Sequence, residues 1–191
     1  MLTLIIPIGP PGSGKTNLSQ ELLSTDLNFH LSSRDELYAE IKKTNSSRKT
    51  RKILFDRMID FFNRIIEMPK SENPVVYMDS CNAKKTIRDQ FIEKLNPDKI
   101  IYLNFRYSDL DLLLERTQTR NYHPTFPVEI EKQKDIIKSI ITGIEYEIDL
   151  GKNENVKIIN LDKNISIDLK KLLYNEITYN EITYKEIIRS F

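Results

Sequence analysis

Gly9-Pro10-Pro11-Gly12-Ser13-Gly14-Lys15-Thr16 fits the pattern G-x-x-x-x-G-K-[ST] at every fixed position. The pattern meets the needs of phosphate binding. Gly12 and Gly14 lack a Cβ, so the backbone can curl until its N–H groups point inward at an anion. A helix starting near Lys15 brings the positive end of its dipole to the same place. The pattern assigns the Lys15 ammonium to the β- and γ-phosphates of ATP, or of another nucleoside triphosphate. It assigns the Thr16 hydroxyl to Mg²⁺. Upstream, Leu2 to Ile8 is an apolar run with β-branched residues, as in a buried parallel strand. Downstream, Leu18, Leu22 and Leu23 share one helical face. A chance glycine-rich turn is the competing reading, and it calls for neither the strand before nor the helix after.

Outward from this loop, strand and helix patterns alternate. Leu27 to Leu31 reads as a second strand. Ser33-Arg34-Asp35-Glu36 then opens a helix to about Lys43, with Ser33 and Glu36 spaced as a capping box. After a loop at 44–47, a long helix is predicted from about Arg48 to Met68, ended by Pro69. Its apolar stripe is Ile53, Phe55, Met58, Ile59, Phe62, Ile65 and Ile66. Val75 to Met78 is a buried strand that terminates in Asp79. A helix over Lys84 to Leu95 is broken by Asn96-Pro97, and Ile100 to Leu103 forms another strand. Ser108 or Asp109 caps a helix to about Arg116, followed by an aperiodic loop over 117–127. Val128 to Leu150 reads as a helix with Ile137, Ile140, Ile141, Ile144 and Ile148 on one stripe, stopped by Gly151.

Val156 to Ile159 is the last strand. From about Ser166 a helical pattern carries Leu169, Leu172 and Leu173, then becomes a repeat based on Tyr-Asn-Glu-Ile-Thr. Five residues turn about 500° round a helix, so the repeated isoleucines spiral instead of forming one face. Local duplication of a docking helix accounts for that geometry. The expected organisation is one domain over 1–161, with 162–191 as its C-terminal helical extension. Alternating strands and helices predict an α/β fold with a parallel sheet wrapped on both faces. Right-handed crossovers then bring the P-loop, Arg34-Asp35, Asp79 and Asn104 to one edge.

Composition narrows the class. A length of 191 residues suits a single domain with a sizeable core. The net charge of +1 gives no global attraction to a polyanion. The one cysteine, Cys81, excludes an intramolecular disulfide framework and fits a reducing compartment. No run of eighteen apolar residues suggests a membrane span, and the apolar start has neither a charged leader nor a small-residue cleavage site. The expectation is an intracellular protein, cytoplasmic or nuclear.

Several residues carry candidate chemistry. Asp79, at a strand end, suits an acid that holds the metal's water shell opposite Thr16. It also suits a turn with Ser80 and Asn82, and the upstream P-loop favours the first role. Asp35 can take a proton from an attacking hydroxyl, or can simply be a favourable charge in a first helical turn. Arg116 and Arg120 flank the start of the irregular loop. They read as lid arginines for a transferring phosphoryl group, or as solvated arginines at a helix C-terminus. Lys42 to Arg57 holds seven basic residues against Asp56, a net of +6, which leaves −5 for the rest of the chain. That run is either a surface for a nucleic-acid backbone or a solvated helix face. Cys81, His30 and His123 have no partners of metal-ligand or nucleophile type nearby in sequence.

Four blocks in order resemble the bacteriophage-type polynucleotide 5′-kinase family and its zeta-toxin-like relatives. They are the P-loop, Ser33-Arg34-Asp35-Glu36, Asp79-Ser80-Cys81-Asn82, and Arg116-Thr117-Gln118-Thr119-Arg120 followed by Pro127-Val128. The resemblance covers roughly residues 2 to 160. It implies a P-loop kinase fold with a parallel sheet of about five strands flanked by helices and an arginine-bearing lid. It implies Lys15 and Thr16 on the donor phosphates and Mg²⁺, and Asp35 as base toward the 5′-hydroxyl of RNA or DNA. Asp79 and Asn82 match the family's Asp-x-x-Asn element behind the acceptor, and Arg116 and Arg120 match its lid arginines. The chain departs from the pattern at Tyr38, where the family often carries an arginine on the acceptor's phosphate. Arg34 or the cluster of Arg48, Lys49, Arg51 and Lys52 stands nearby as a substitute. The implied activity is transfer of the γ-phosphoryl of ATP to a polynucleotide 5′-hydroxyl. A kinase of a small metabolite or nucleotide sugar uses the same chemistry. A nucleotide-dependent binding protein would not need Asp35 or the paired arginines.

Overall fold

The computed structural model describes residues 1–44, 50–119, 126–148, 155–161 and 168–178. Its centre is β1, Thr3–Ile8, in which every residue is buried. β1 pairs in parallel with β3 (Val75–Asp79) on one side and β4 (Lys99–Phe105) on the other. β2 (Phe29–Ser33) lies outside β3 and β5 (Val156–Leu161) outside β4, so the order is β2-β3-β1-β4-β5, all parallel.

Side chains alternate across this sheet and build two apolar layers. Leu4, Ile6 and Ile8 join Val76, Met78 and Tyr102 on one face. α2 (Arg34–Thr44), α3 (Thr50–Ile66) and α4 (Lys85–Leu95) cover that face through Ile41, Met58, Phe62 and Phe91. Ile5, Tyr77, Ile101 and Leu103 face the other way, under α1 (Lys15–Leu23) and α7 (Leu169–Thr178). α5 (Leu110–Gln118) packs against α6 (Ile130–Gly143). Among the described residues no helix is long and apolar enough to cross a membrane.

Element order agrees with the sequence reading, while several boundaries move for physical reasons. β2 begins two residues later than predicted because it pairs with the whole of β3, from Phe29 beside Val75 to Ser33 beside Asp79. On α3 the buried line is Leu54, Met58, Phe62 and Ile65, whereas Phe55 and Ile66 are exposed. At about 100° per residue the latter two fall at the margin of that line, just beyond Phe62, so packing decides which residues are buried. Thr117 is buried in α5 and does not begin the loop.

The largest correction concerns the helix predicted to reach Leu150, since α6 ends at Gly143. Ile144 is extended, with φ −71° and ψ 127°. Ile144, Tyr146 and Ile148 pack on the face covered by α2 to α4. Glycine is a poor helix former, and apolar residues alternating with Glu145 and Glu147 suit an extended strap. Gly151 lies outside the described residues.

α7 contains the first repeat, Tyr174 to Thr178, and buries Leu173 completely. Residues 162–167 and the later repeats lie outside the described residues. Glu176 of α7 is buried, and its carboxylate meets Lys99 Nζ of β4 at 2.8 Å and Lys157 Nζ of β5 at 2.6 Å. Burial pushes the Glu176 carboxyl up. The hydrogen bonds and charges of Lys157 and Lys99 outweigh that and hold it below the usual carboxylate range. A lowered folded value stabilises the protein above the unfolded value of about 4.3, and the effect is lost as pH falls through the folded value. Glu176→Gln should therefore lower the Tm at neutral pH, and its gap from wild type should close in strong acid. Thermal denaturation followed by circular dichroism across that range checks this; a gap that persists in acid would assign the effect to packing.

Candidate active site

The loop between β1 and α1 has the shape its glycines permit. Gly12 and Gly14 adopt φ of +82° and +99°. A Cβ on Gly12 would lie 2.6 Å from the Leu113 carbonyl oxygen of α5, so the P-loop sits directly against that helix. Lys15 is buried. Its ammonium donates to the carbonyls of Gly9 at 2.9 Å and Pro10 at 2.6 Å and to Ser13 Oγ at 3.2 Å. The loop's own oxygens thus hold the charge inside the curl. α1 has Gly14 at its N-cap, no side-chain cap and no acidic residue in its first turn. A helix start of this kind suits an anion, because the first-turn N–H groups have no partner within the helix.

Thr16 Oγ1 donates to Asp79 Oδ1 at 3.2 Å, across 63 residues of sequence. Burial pushes the Asp79 carboxyl up. The Thr16 hydrogen bond and the Lys15 charge oppose that, while the charges of Asp35 and Glu36 add to it. Asp35 reaches this neighbourhood because Ser33 pairs with Asp79 across the sheet and α2 starts at the next residue. The helix start is supported by Ser33, whose Oγ accepts from Glu36 N at 3.4 Å, one half of the expected capping box. Parallel pairing therefore brings the P-loop and two predicted acids to one edge.

A magnesium ion takes hard oxygen ligands, and a hydroxyl beside a buried carboxylate supplies them. Thr16 and Asp79 are the residues that would hold it, with waters and phosphate oxygens completing the shell. Bound there, the ion would neutralise charge between the β- and γ-phosphates. Among the described residues no cluster of three or more His, Cys, Asp or Glu side chains offers a metal site built from protein alone.

The acceptor-side candidates are spread more widely. Asn82 is buried with φ +46°. Its amide donates to the carbonyls of Pro7 at 2.7 Å, Met78 at 2.8 Å and Ser80 at 3.2 Å, so it locks the turn after Asp79. Tyr38 is half-buried and packs on the α2–α4 core layer. Arg34 and Lys52 are exposed. Arg116 is exposed, with its guanidinium 5.5 Å from the centre of the Tyr107 ring. Arg48, Lys49, Arg120 and the side chain of Arg51 lie outside the described residues. Asn104, at the end of β4, is buried and donates to Asn160 Oδ1 at 3.0 Å.

Two residues at the site escaped the sequence reading. Tyr77 sends its hydroxyl to the Lys15 carbonyl at 2.8 Å and so ties β3 to the first turn of α1. It reads in sequence only as one more apolar strand residue. Arg88 is fully buried on α4 and donates to the Asn82 carbonyl at 2.8 Å. A charge at Arg88 on the same helical stripe as Phe91 and Leu95 was the available signal.

Comparison with known proteins agrees with this geometry. A family profile described as an AAA domain matches residues 4–139. The adenylate kinase of Buchnera aphidicola subsp. Cinara cedri (strain Cc) is 28% identical, covering 90% of this chain and 95% of that protein. A fungal RNA kinase superposes with a TM-score of 0.62 at 15% identity, covering 100% of this chain and 48% of the kinase. A sugar kinase from Janibacter sp. HTCC2649 superposes with a TM-score of 0.57 at 14% identity, covering 95% and 98%. At such identities the superpositions establish the shared α/β P-loop kinase-like fold.

The loop geometry separates two otherwise similar substitutions. Gly12→Ala and Gly14→Ala each place a side chain at positive φ, which costs on the order of 1–3 kcal/mol. Only Gly12→Ala also drives a Cβ into backbone, since nothing lies within 4 Å of the position a Cβ would take on Gly14. Urea denaturation should show the larger loss for Gly12→Ala; equal losses would contradict the close approach of α5.

Proposed function

We propose, from the premise that this chain belongs to the AAA domain family, that it is a kinase transferring the γ-phosphoryl group of ATP to the 5′-hydroxyl of RNA or DNA. The observation that carries the hydroxyl acceptor is the carboxylate pair at the P-loop edge, with Asp35 and Asp79 close enough for their charges to interact. A hydroxyl sheds its proton during transfer and profits from a base, the role Asp35 would take. A phosphate acceptor is already ionised and needs none. It would also meet the repulsion of Asp35, Glu36 and Asp79. Lys15, the N-terminus of α1 and a magnesium ion on Thr16 and Asp79 would hold the donor phosphates. Arg116 and Arg120 would supply positive charge to the transferring group. The chemistry asks of the protein mainly position and charge.

The polynucleotide is the finer part of the proposal. Lys42 and Lys43, in the last turn of α2, and Lys52 and Arg57 of α3 are all exposed, and the two helices pack together. Such a surface suits a phosphate backbone, and the fungal RNA kinase offers the same fold to that chemistry. A second reading, a nucleotide as acceptor, draws on the adenylate kinase likeness.

An acceptor panel decides between them. With labelled ATP, transfer to a 5′-hydroxyl oligonucleotide is expected to exceed transfer to AMP or to free sugars. Preferred transfer to AMP would overturn the hydroxyl reading. Asp35→Asn should lower kcat by about 10²–10⁴-fold with ATP affinity nearly unchanged; weakened ATP affinity at normal turnover would make Asp35 a helix cap. For a single-stranded acceptor, log affinity should fall with log salt at a slope of roughly −0.7 per phosphate contacted. Reversal of Arg48, Lys49, Arg51 and Lys52 to Glu should flatten that slope. Identical slopes for the two proteins would return the cluster to solvent and favour a small acceptor.

A further inference from the structure

Arg88 is 1% exposed, yet its hydrogen-bond partners are main-chain carbonyls and not carboxylates. Nη1 donates to Asn82 O at 2.8 Å, and Nη2 donates to Glu145 O at 2.7 Å and Glu147 O at 2.9 Å. Burying a guanidinium is costly, and an apolar side chain of similar volume is often no worse for stability. What the arginine supplies here is geometry, because its planar fork fixes two separate segments at once.

One segment is the turn after Asp79 and the other is the strap over 144–148. The turn is bonded to the P-loop at Asp79 and at Cys81. Asp79 meets Thr16 at 3.2 Å, and the Cys81 carbonyl accepts from Gly9 N at 3.2 Å. Next to Cys81, the Asn82 amide holds Pro7, the last residue but one of β1. On its outer side the turn is backed by the strap: Glu145 N donates to Ala83 O at 2.9 Å, and Lys85 N donates to Glu145 Oε2 at 2.8 Å. Arg88 joins the two, and its contact is the carbonyl of the residue that carries the positive φ. A residue in that conformation persists when its surroundings over-determine it.

We infer that Arg88 is a positioning residue, which holds the Asp79 carboxylate opposite Thr16 by bracing the 79–82 turn against the strap. The inference rests on the nucleotide and magnesium half of the proposed function and is independent of the acceptor. Without Arg88 the turn keeps its inner bonds and the strap keeps Ala83 and Lys85, but Asn82 loses its tie to the strap, so the carboxylate should sample positions away from the hydroxyl. The effect should fall on magnesium-assisted nucleotide binding and spare binding by the P-loop alone.

The test is ATP affinity by calorimetry, with and without magnesium, on the full chain. For Arg88→Met, affinity without magnesium should match wild type. The gain on adding magnesium should shrink by about 10–100-fold, the usual cost of removing a group that orients a metal ligand. Phe91→Leu removes packing from the same helix and face but no hydrogen bond, and should keep the full gain. The inference is overturned if Arg88→Met keeps the gain, if Phe91→Leu loses it equally, or if wild-type binding ignores magnesium. Should Arg88→Met not fold, Arg88→Lys decides. It keeps the charge but has one donor head in place of the fork, so a reduced gain supports bracing and a wild-type gain overturns it. Failure of the acceptor panel, with the magnesium result intact, would strike the proposed function and leave this inference standing.

Discussion

β1 is hydrogen-bonded on both edges and covered on both faces, and the rest of the molecule is placed relative to it. A strand in that position must run parallel to its neighbours if each connection is a helical crossover. Every strand then ends at the same edge of the sheet. The loop after β1 becomes the P-loop, the end of β3 is Asp79, and the residues after β2 open α2 at Arg34 and Asp35. Backbone register therefore turns residues far apart in the chain into neighbours: Ser33 lies beside Asp79, and Ile8 beside Asn104.

The site at this edge is electrically divided. On one side stand the Lys15 ammonium and the uncapped start of α1. On the other stand Asp79, Asp35 and Glu36, whose mutual repulsion adds to burial in pushing the Asp79 carboxyl up. Thr16 lies at the boundary, donating to the acid side from the helix that serves the basic side. The proposed transfer to a hydroxyl would use this division, because negative donor oxygens and an acceptor losing its proton require opposite surroundings. The polar atoms behind the site are correspondingly well used. Tyr77 holds the Lys15 carbonyl, Asn82 holds three carbonyls of its turn and of β1, and Arg88 holds that turn from outside.

Local patterns in the sequence read well where local forces decide. The P-loop and α1 stand where their residues placed them, because glycine freedom and a helix start are properties of neighbours in sequence. The strands at 75–79 and 99–105 follow from apolar runs too short and too β-branched for helices. Misreadings occurred where two local patterns competed. Ile137 through Ile148 satisfies a helical stripe, but the later part also alternates with period two, and the second pattern prevails after Gly143. Phe55 and Leu54 are both apolar neighbours on α3, and only packing against α4 and the sheet decides which is buried.

The sequence by itself determined the P-loop, the alternating α/β plan, and the acids at the end of β3 and just after β2. Each of these depends on spacing between residues close along the chain. Tertiary structure alone decided the strand order, the meeting of Thr16 with Asp79, and the roles of Tyr77, Arg88 and the 144–148 strap. It also decided that Glu176 of the first repeat is buried between Lys99 and Lys157. The physical reason is common to all of these. A hydrogen bond or ion pair between separate elements leaves no period or spacing in the sequence, because its geometry exists only once the fold has brought the partners together.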